Sequence, residues 1–396
     1  MSDSVSAIGF VNKDLPAKNK MIGIGLTALG VILLAASFTV DHTRASYNTI
    51  ILFMYLFGIG IGSLFFVALE YIVGAVWSVP FRRIAEILSL MVFVAPLFAI
   101  PLYFNMHSVF EWTHLEVVAQ DTILSSKQAY LNESFFWIRS IAIFAIMILF
   151  YFIIVKPSYK QDKSHSQKTT KRITVFSAIF MPVFAIATSV MAMDWIMSLE
   201  PHWFSTIFGV YYFAGALLTT LALLTFIGVS LGEKGYLSKL INNDHYYNFG
   251  ALLFAFVNFW AYIAFSQYLL IWYANIPEET FWYLKRWGGT WSVMSVGLIF
   301  IKFAVPYFVL LSRPSKSNVF KLKFIAIWIL VAQLYDLYWL VIPRLSPEGV
   351  LLSWHELAVP LVIAGVIVLV FNIGASKTNL LPIGDPRLKR GLDFYL

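Results

Sequence analysis

An all-α, polytopic membrane protein is the fold class this sequence predicts, and three observations carry the prediction. Hydrophobic residues make up 60% of the chain and charged residues only 12%, about half the charged share of a soluble domain. The apolar residues gather into ten runs, each close to the roughly 20 helical residues that cross a hydrocarbon core of about 30 Å. The alternation of a membrane barrel is absent, and lipid offers an open backbone group no partner, so each run is assigned as a helix.

The runs lie near 21–40, 50–77, 84–104, 135–155, 173–192, 205–231, 248–273, 289–312, 319–343 and 355–375. The first begins only at Met21 and is too long for a signal-peptide core, so it is expected to be retained. The second carries Glu70 toward one end, in VALEYIVGAVW, and the third opens with Glu86 just after Arg82 and Arg83. Arg139 stands about one turn into the fourth run. The fifth leads into MAMDWIMSLEPHW, which holds Asp194, Glu200 and His202 at the lip of the sixth. The seventh contains Asn258, Ser266 and Gln267. In the eighth, Lys302 falls mid-run in GLIFIKFAVPYF, and the ninth carries Gln333 and Asp336 in LVAQLYDLYWLV. Mid-run prolines Pro96, Pro306 and Pro360 look too sparse for the broken helices of a transporter.

Basic residues orient the bundle. With the N-terminus cytoplasmic, 21 of the 28 Lys and Arg fall in cytoplasmic segments and five on the opposite face. Both termini are therefore expected in the cytoplasm: a segment 1–20, a transmembrane domain 21–375, and a tail 376–396. The net charge of +7 reflects this orientation, and no nucleic-acid partner is expected. KPSYKQDKSHSQKTTKR (156–172) reads as a solvated tether facing anionic lipid. Trp203, Trp272, Trp282, Trp287, Trp291 and Trp354 crowd the other boundary, mostly as an interfacial belt.

The chain has no cysteine, which excludes disulfides, thiolate metal sites, iron–sulfur clusters and CxxCH haem attachment. His42, His107, His114, His165, His202, His245 and His355 all map to loops or helix ends, not to helix centres where an intramembrane haem would need them. No Walker, GxGxxG or HExxH motif is present. No cofactor and no metal is expected in this chain.

What remains is a set of intramembrane ionisable groups, each costing about 2.5–3.5 kcal/mol on an insertion scale and so requiring a reason. Glu86 reads as an interfacial residue paired with a neighbouring arginine. Lys302 is too deep to snorkel easily. Arg139 and Asp336 read either as a structural pair or as functional groups. Glu70 has no obvious sequence partner, which marks it as an intramembrane carboxylate able to carry a proton. Asp194 sits among Met191, Met193, Trp195 and Met197, where burial favours proton exchange; the alternative for Asp194, Glu200 and His202 is a solvated turn. The proton-pathway candidates are thus Glu70, Asp194, Glu200, His202, Lys302 and Asp336. Asn258 and Gln267 read as helix–helix glue.

MAMDWIMSLEPHWFSTIFGVYYFAG (191–215) and FSQYLLIWYANIPEETFWYLKR (265–286) resemble the F subunit of alternative complex III, a bacterial quinol:cytochrome c (or other acceptor) oxidoreductase. That subunit belongs to the NrfD/polysulfide-reductase-like membrane family. The resemblance implies two four-helix bundles, here about 50–192 and 205–343, with flanking helices, in a bacterial inner membrane. It also implies a role in proton translocation and in anchoring the complex, without redox centres in this chain. Iron–sulfur clusters and c-type haems would reside in partner subunits, beside a homologous NrfD-like subunit; quinone binding here and association with a terminal oxidase are left open. A purely structural anchor and a free-standing secondary transporter are the alternatives.

Overall fold

The computed structural model describes residues 15–396, so residues 1–14 of the expected N-terminal segment lie outside the described residues. Ten helices are long and apolar enough to span a membrane: α1 (Ala17–Val40), α2 (His42–Val73), α3 (Val79–Tyr103), α4 (Glu133–Ser164), α5 (Gln167–Leu199), α6 (Phe208–Glu233), α7 (Asn243–Ala274), α8 (Trp291–Leu310), α9 (Val319–Arg344) and α10 (Trp354–Ala375). No strand occurs among the described residues. The chain is an all-α multi-pass membrane protein, with one helix for every apolar run. Both ends of the described chain lie on one face, here the terminal face; the other is the distal face.

Helices α2–α5 pack with one another, as do α6–α9, and α2 meets α6 along the seam between the two groups. Burial follows from that position. Almost all of α2 and most of α6 is enclosed, whereas α1 is largely open. The seam is close because its residues are small: a Cβ on Gly62 would overlap the Thr220 hydroxyl, and one on Gly58 would lie 3.1 Å from Ala216 Cβ. α1 packs mainly on α10, where a Cβ at Gly30 would come within 2.8 Å of the Val362 amide nitrogen.

Prolines shape the spans. A proline inside a helix lacks an N–H and crowds the carbonyl four residues earlier. α4 widens into a π turn at Tyr151–Val155 just before Pro157, and α8 does the same at Ile299–Ala304 just before Pro306. In α8 the carbonyl at risk belongs to Lys302, so the widened turn also sets where that lysine points. α3, with Pro80, Pro96 and Pro101, is broken into short α and 3-10 pieces. Of the three mid-run prolines, Pro96 lies in the broken α3, Pro306 follows a π turn, and Pro360 sits inside an unbroken α10.

Three further expectations change. The segment 156–172 is no tether: Lys156–Ser164 prolongs α4, with Ser158 and Gln161 buried, and Gln167 onward already belongs to α5. Residues 376–396 fold back over the terminal face and bury Leu380, Leu381, Leu388 and Leu392. Of the six tryptophans, Trp272, Trp287 and Trp354 are exposed as a belt requires, but Trp203, Trp282 and Trp291 are core. Trp203 stacks on Trp282 with ring centroids 4.5 Å apart.

Candidate functional site

The ionisable residues of the spans assemble into three buried centres. In the first bundle, near the distal face, Arg139 of α4 forks onto Asp194 of α5, with Nε–Oδ2 at 2.8 Å and Nη2–Oδ1 at 3.1 Å. The guanidinium also donates to the Tyr130 carbonyl at 2.9 Å and lies 3.8 Å from that residue's ring centroid. Asp194 is 1% exposed. The solvated-turn reading fails for it, and so does the picture of an isolated acid among methionines. The suggested Arg139–Asp336 pair does not form, because the two residues belong to different bundles.

Asp336 instead meets Lys302. In the second bundle the Lys302 ammonium of α8 donates to Asp336 and, at 2.5 Å, to Gln333 Oε1, both of α9. Tyr211 of α6 donates to Asp336 Oδ1 at 2.6 Å, and the Trp260 ring of α7 lies 4.6 Å from the ammonium. All four helices of the bundle supply a side chain. No snorkelling is needed, since the lysine is 1% exposed and paired in place.

The third centre lies at the terminal face. Arg82 binds Glu70 (2.9 Å), Glu86 (3.1 Å) and Asp385 of the C-terminal tail (2.5 Å). Arg83 binds Glu86 (2.5 Å) and Asp162 (2.8 Å). Arg387 reaches Glu70 (3.3 Å) and Asp385 (3.0 Å). Glu70 thus has partners, all distant in sequence except Ser78 and Arg82. Glu86 pairs with both neighbouring arginines, where one was expected, and is fully buried within the protein. Outside the spans, burial opposes the charge of Asp385, yet Arg82 and Arg387 outweigh it and hold the carboxyl down at about 2.

Glu200 and His202 belong to a separate distal-face lattice. Glu200 is buried and accepts from Lys285 at 2.9 Å, with Arg344 at 3.8 Å, and Arg344 continues to Glu111 at 2.9 Å. His202 Nε2 lies 2.6 Å from Asp121. The backbone N–H of Leu124 and the His202 ring hold Asp121 below its ordinary range. Gln267 does join elements, linking Ser205 to Tyr283. Asn258 only bonds back to the Phe254 carbonyl of its own helix.

The first and third centres are the two ends of one packed helix pair. Phe53 meets Trp195 with ring centroids 4.6 Å apart, Phe65 meets Phe184 at 4.7 Å, and Thr174 Oγ1 approaches the Tyr71 carbonyl at 3.5 Å. These contacts fix the antiparallel register of α2 and α5. Asp194 is level with the neighbours of Phe53, so Glu70 lies about 24 Å deeper at 1.5 Å per residue. Ser63 on α2 and Thr188 on α5 fall along that interval, and Ser177 on α5 is level with Glu70. Each is buried, and the hydroxyl of each has no protein partner.

Sequence reasoning missed Asp385, Arg387, Asp162 and Tyr211. The one available signal was the acid in the basic tail GDPRLKR, which a purely solvated tail does not explain. Two cavities stand apart from these centres: an apolar groove of about 310 Å³ among α1, α6 and α10, and a polar distal cleft of about 450 Å³ bordered by Tyr47, Glu111 and Arg344. Among the described residues no group of three His, Asp or Glu could hold a metal ion. No family model matches the chain, and no curated protein matches it.

Proposed function

We propose that this chain is a redox-centre-free membrane subunit of a quinol:electron acceptor oxidoreductase of the alternative complex III type, taking part in proton translocation and anchoring the complex. In this reading it sits in a bacterial inner membrane with both termini cytoplasmic, beside an NrfD-like subunit, an iron–sulfur protein and c-type cytochromes. The reading rests on the resemblance of residues 191–215 and 265–286 and on the interior of the first bundle.

The observation that carries the proton role is the pair of unpartnered buried hydroxyls of Thr188 and Ser63 between Asp194 and Glu70, with that of Ser177 level with Glu70. A buried hydroxyl without a partner costs about 1–3 kcal/mol, so three along one helix pair favour enclosed water beside them. Hydroxyls and water linking two carboxylates are what proton transfer over about 24 Å at 1.5 Å per residue requires. Two experiments test the reading. Solubilised in mild detergent, the chain co-purifies with haem-bearing and iron–sulfur partners. In that complex Thr188→Val and Ser177→Ala lower the protons moved per electron while quinol oxidation continues. Unchanged stoichiometry in both assembled variants removes the proton role.

The ion pairs favour a second reading, a purely structural anchor, since each acid of the three centres touches at least one cation. The broken α3 is the one feature that favours a free-standing transporter. Solute movement by the chain purified alone would establish it.

A further inference from the structure

The terminal-face cluster has a charge imbalance. Its core holds Arg82 and Arg83 against Glu70, Glu86 and Asp385, all with side chains no more than 1% exposed. Its rim adds Arg387 and Asp162, at 15% and 11%. Core and full cluster therefore give the same result, one carboxylate more than there are guanidiniums. The other groups facing it are Tyr71, whose ring lies 4.8 Å from the Arg82 guanidinium and 4.7 Å from that of Arg387, and Tyr159, 4.6 Å from that of Arg83. Tyr151 lies behind Tyr159. Among the described residues no further cation is paired with these acids. An uncompensated charge in a low-dielectric interior neutralises itself in preference to staying ionised.

A second observation is independent of that count. Three buried polar atoms gathered here lack a protein partner, Arg82 Nη2, Arg83 Nε and Gln161 Oε1, and the Tyr71 and Ser158 hydroxyls beside them bond to each other. Donors and acceptors are both represented, which suits water and does not suit a bare metal cation. Such a concentration of unpaired groups around a closed ion network marks an internal hydrated volume.

We propose that this cluster is a proton store: it takes one proton from the solvent, holds it among Glu70, Glu86 and Asp162 through enclosed water, and exchanges it past the half-open rim of Asp162 and Arg387. Asp385 is set aside as the holder, because Arg82 and Arg387 outweigh its burial and keep it ionised. Its part is to close the site, with the C-terminal tail as the cover: Gly384 N–H donates to Asp162 at 3.2 Å while Asp385 clasps Arg82. The store deepens the proton-translocating reading. Its test needs no electron transfer, so the two stand or fall separately.

The test is infrared spectroscopy of the full chain, with whatever partners it retains, at neutral pH in water and in deuterium oxide. The wild-type protein shows a deuterium-sensitive carbonyl band of a protonated carboxyl. Asp162→Asn balances acids and guanidiniums and removes one protonated carboxyl per chain. Arg387→Gln, at the rim, deepens the imbalance and adds one. Equal band intensity in wild type and both folded variants overturns the store, as does a sodium- or potassium-dependent loss of the wild-type band. Should Asp162→Asn fail to fold, Glu86→Gln answers the same question in the same direction.

Discussion

Asp194 and Asp336 occupy corresponding places in the two halves of the molecule. Each lies on the last helix of its four-helix group and takes its cation from the preceding helix, Arg139 in one case and Lys302 in the other. In both groups that preceding helix carries a π turn ahead of a proline. The second pair lies deeper in its helices than the first, which fits one arrangement built twice and then adjusted in depth.

Breaking either pair from one side leaves a buried charge. Arg139→Gln or Lys302→Met should each cost about 3–5 kcal/mol, whereas the neutral double variants Arg139→Gln/Asp194→Asn and Lys302→Met/Asp336→Asn should cost clearly less than their single counterparts. Thermal unfolding in detergent measures this. Singles no worse than doubles would mean that the pairs are not charged.

Tyr211→Phe keeps the ring and deletes the hydroxyl that donates to Asp336. Hydrogen bonds to charged groups are worth about 1.5–3 kcal/mol, so a loss in that range is expected. The same substitution at Tyr262, two-thirds exposed on α7, should be close to neutral.

Acid should release the C-terminal tail. Asp385 titrates near 2 in the folded chain against an ordinary 3.8. A depressed folded value contributes stability at neutral pH that is lost as pH falls through the interval between about 4 and about 2. The full effect is about 2 kcal/mol. Limited proteolysis of residues 376–396 should accelerate over that interval, and Asp385→Asn should already show the fast rate at neutral pH. A pH-independent rate in the wild type would dissolve the link.

The absence of cysteine permits a clean orientation test. Ser164 and Ser376 are exposed on the terminal face and Ser125 on the distal face. With the terminal face cytoplasmic, an impermeant thiol reagent on intact cells should label Ser125→Cys and spare Ser164→Cys and Ser376→Cys. The reverse pattern inverts the molecule. Ser315 is unsuitable, because it is buried and would resist the reagent from either side.

The helices were legible because lipid demands them: run length and apolarity alone set all ten spans, with most ends shifted by a few residues, while α2 starts earlier, α4 runs on to Ser164 and α5 is longer at both ends. The breaks in α3 were not legible, since proline tolerance depends on neighbours that re-satisfy the freed carbonyls. Glu70, Asp194, Lys302 and Asp336 stood out as costly residues in apolar runs. Their partners did not. Asp194 and Arg139 are 55 residues apart and Glu70 and Arg387 are 317 apart, and pairing over such separations is set by helix packing, which no local pattern encodes. Glu200 and His202 looked joined to Asp194 by sequence proximity, yet the turn after Leu199 sends them to other partners.

The close fit of α1 against α10 also bears on how the chain is made. Of the ten spans, α1 is made before the other nine, yet its main partner, α10, is made after them. Until then Gly30 faces lipid or a chaperone in place of Val362, so the first-made helix must wait for the tenth before it docks. A ribosome halted before residue 354 should leave α1 open to crosslinking by insertion machinery, and extension of the chain beyond α10 should end that contact.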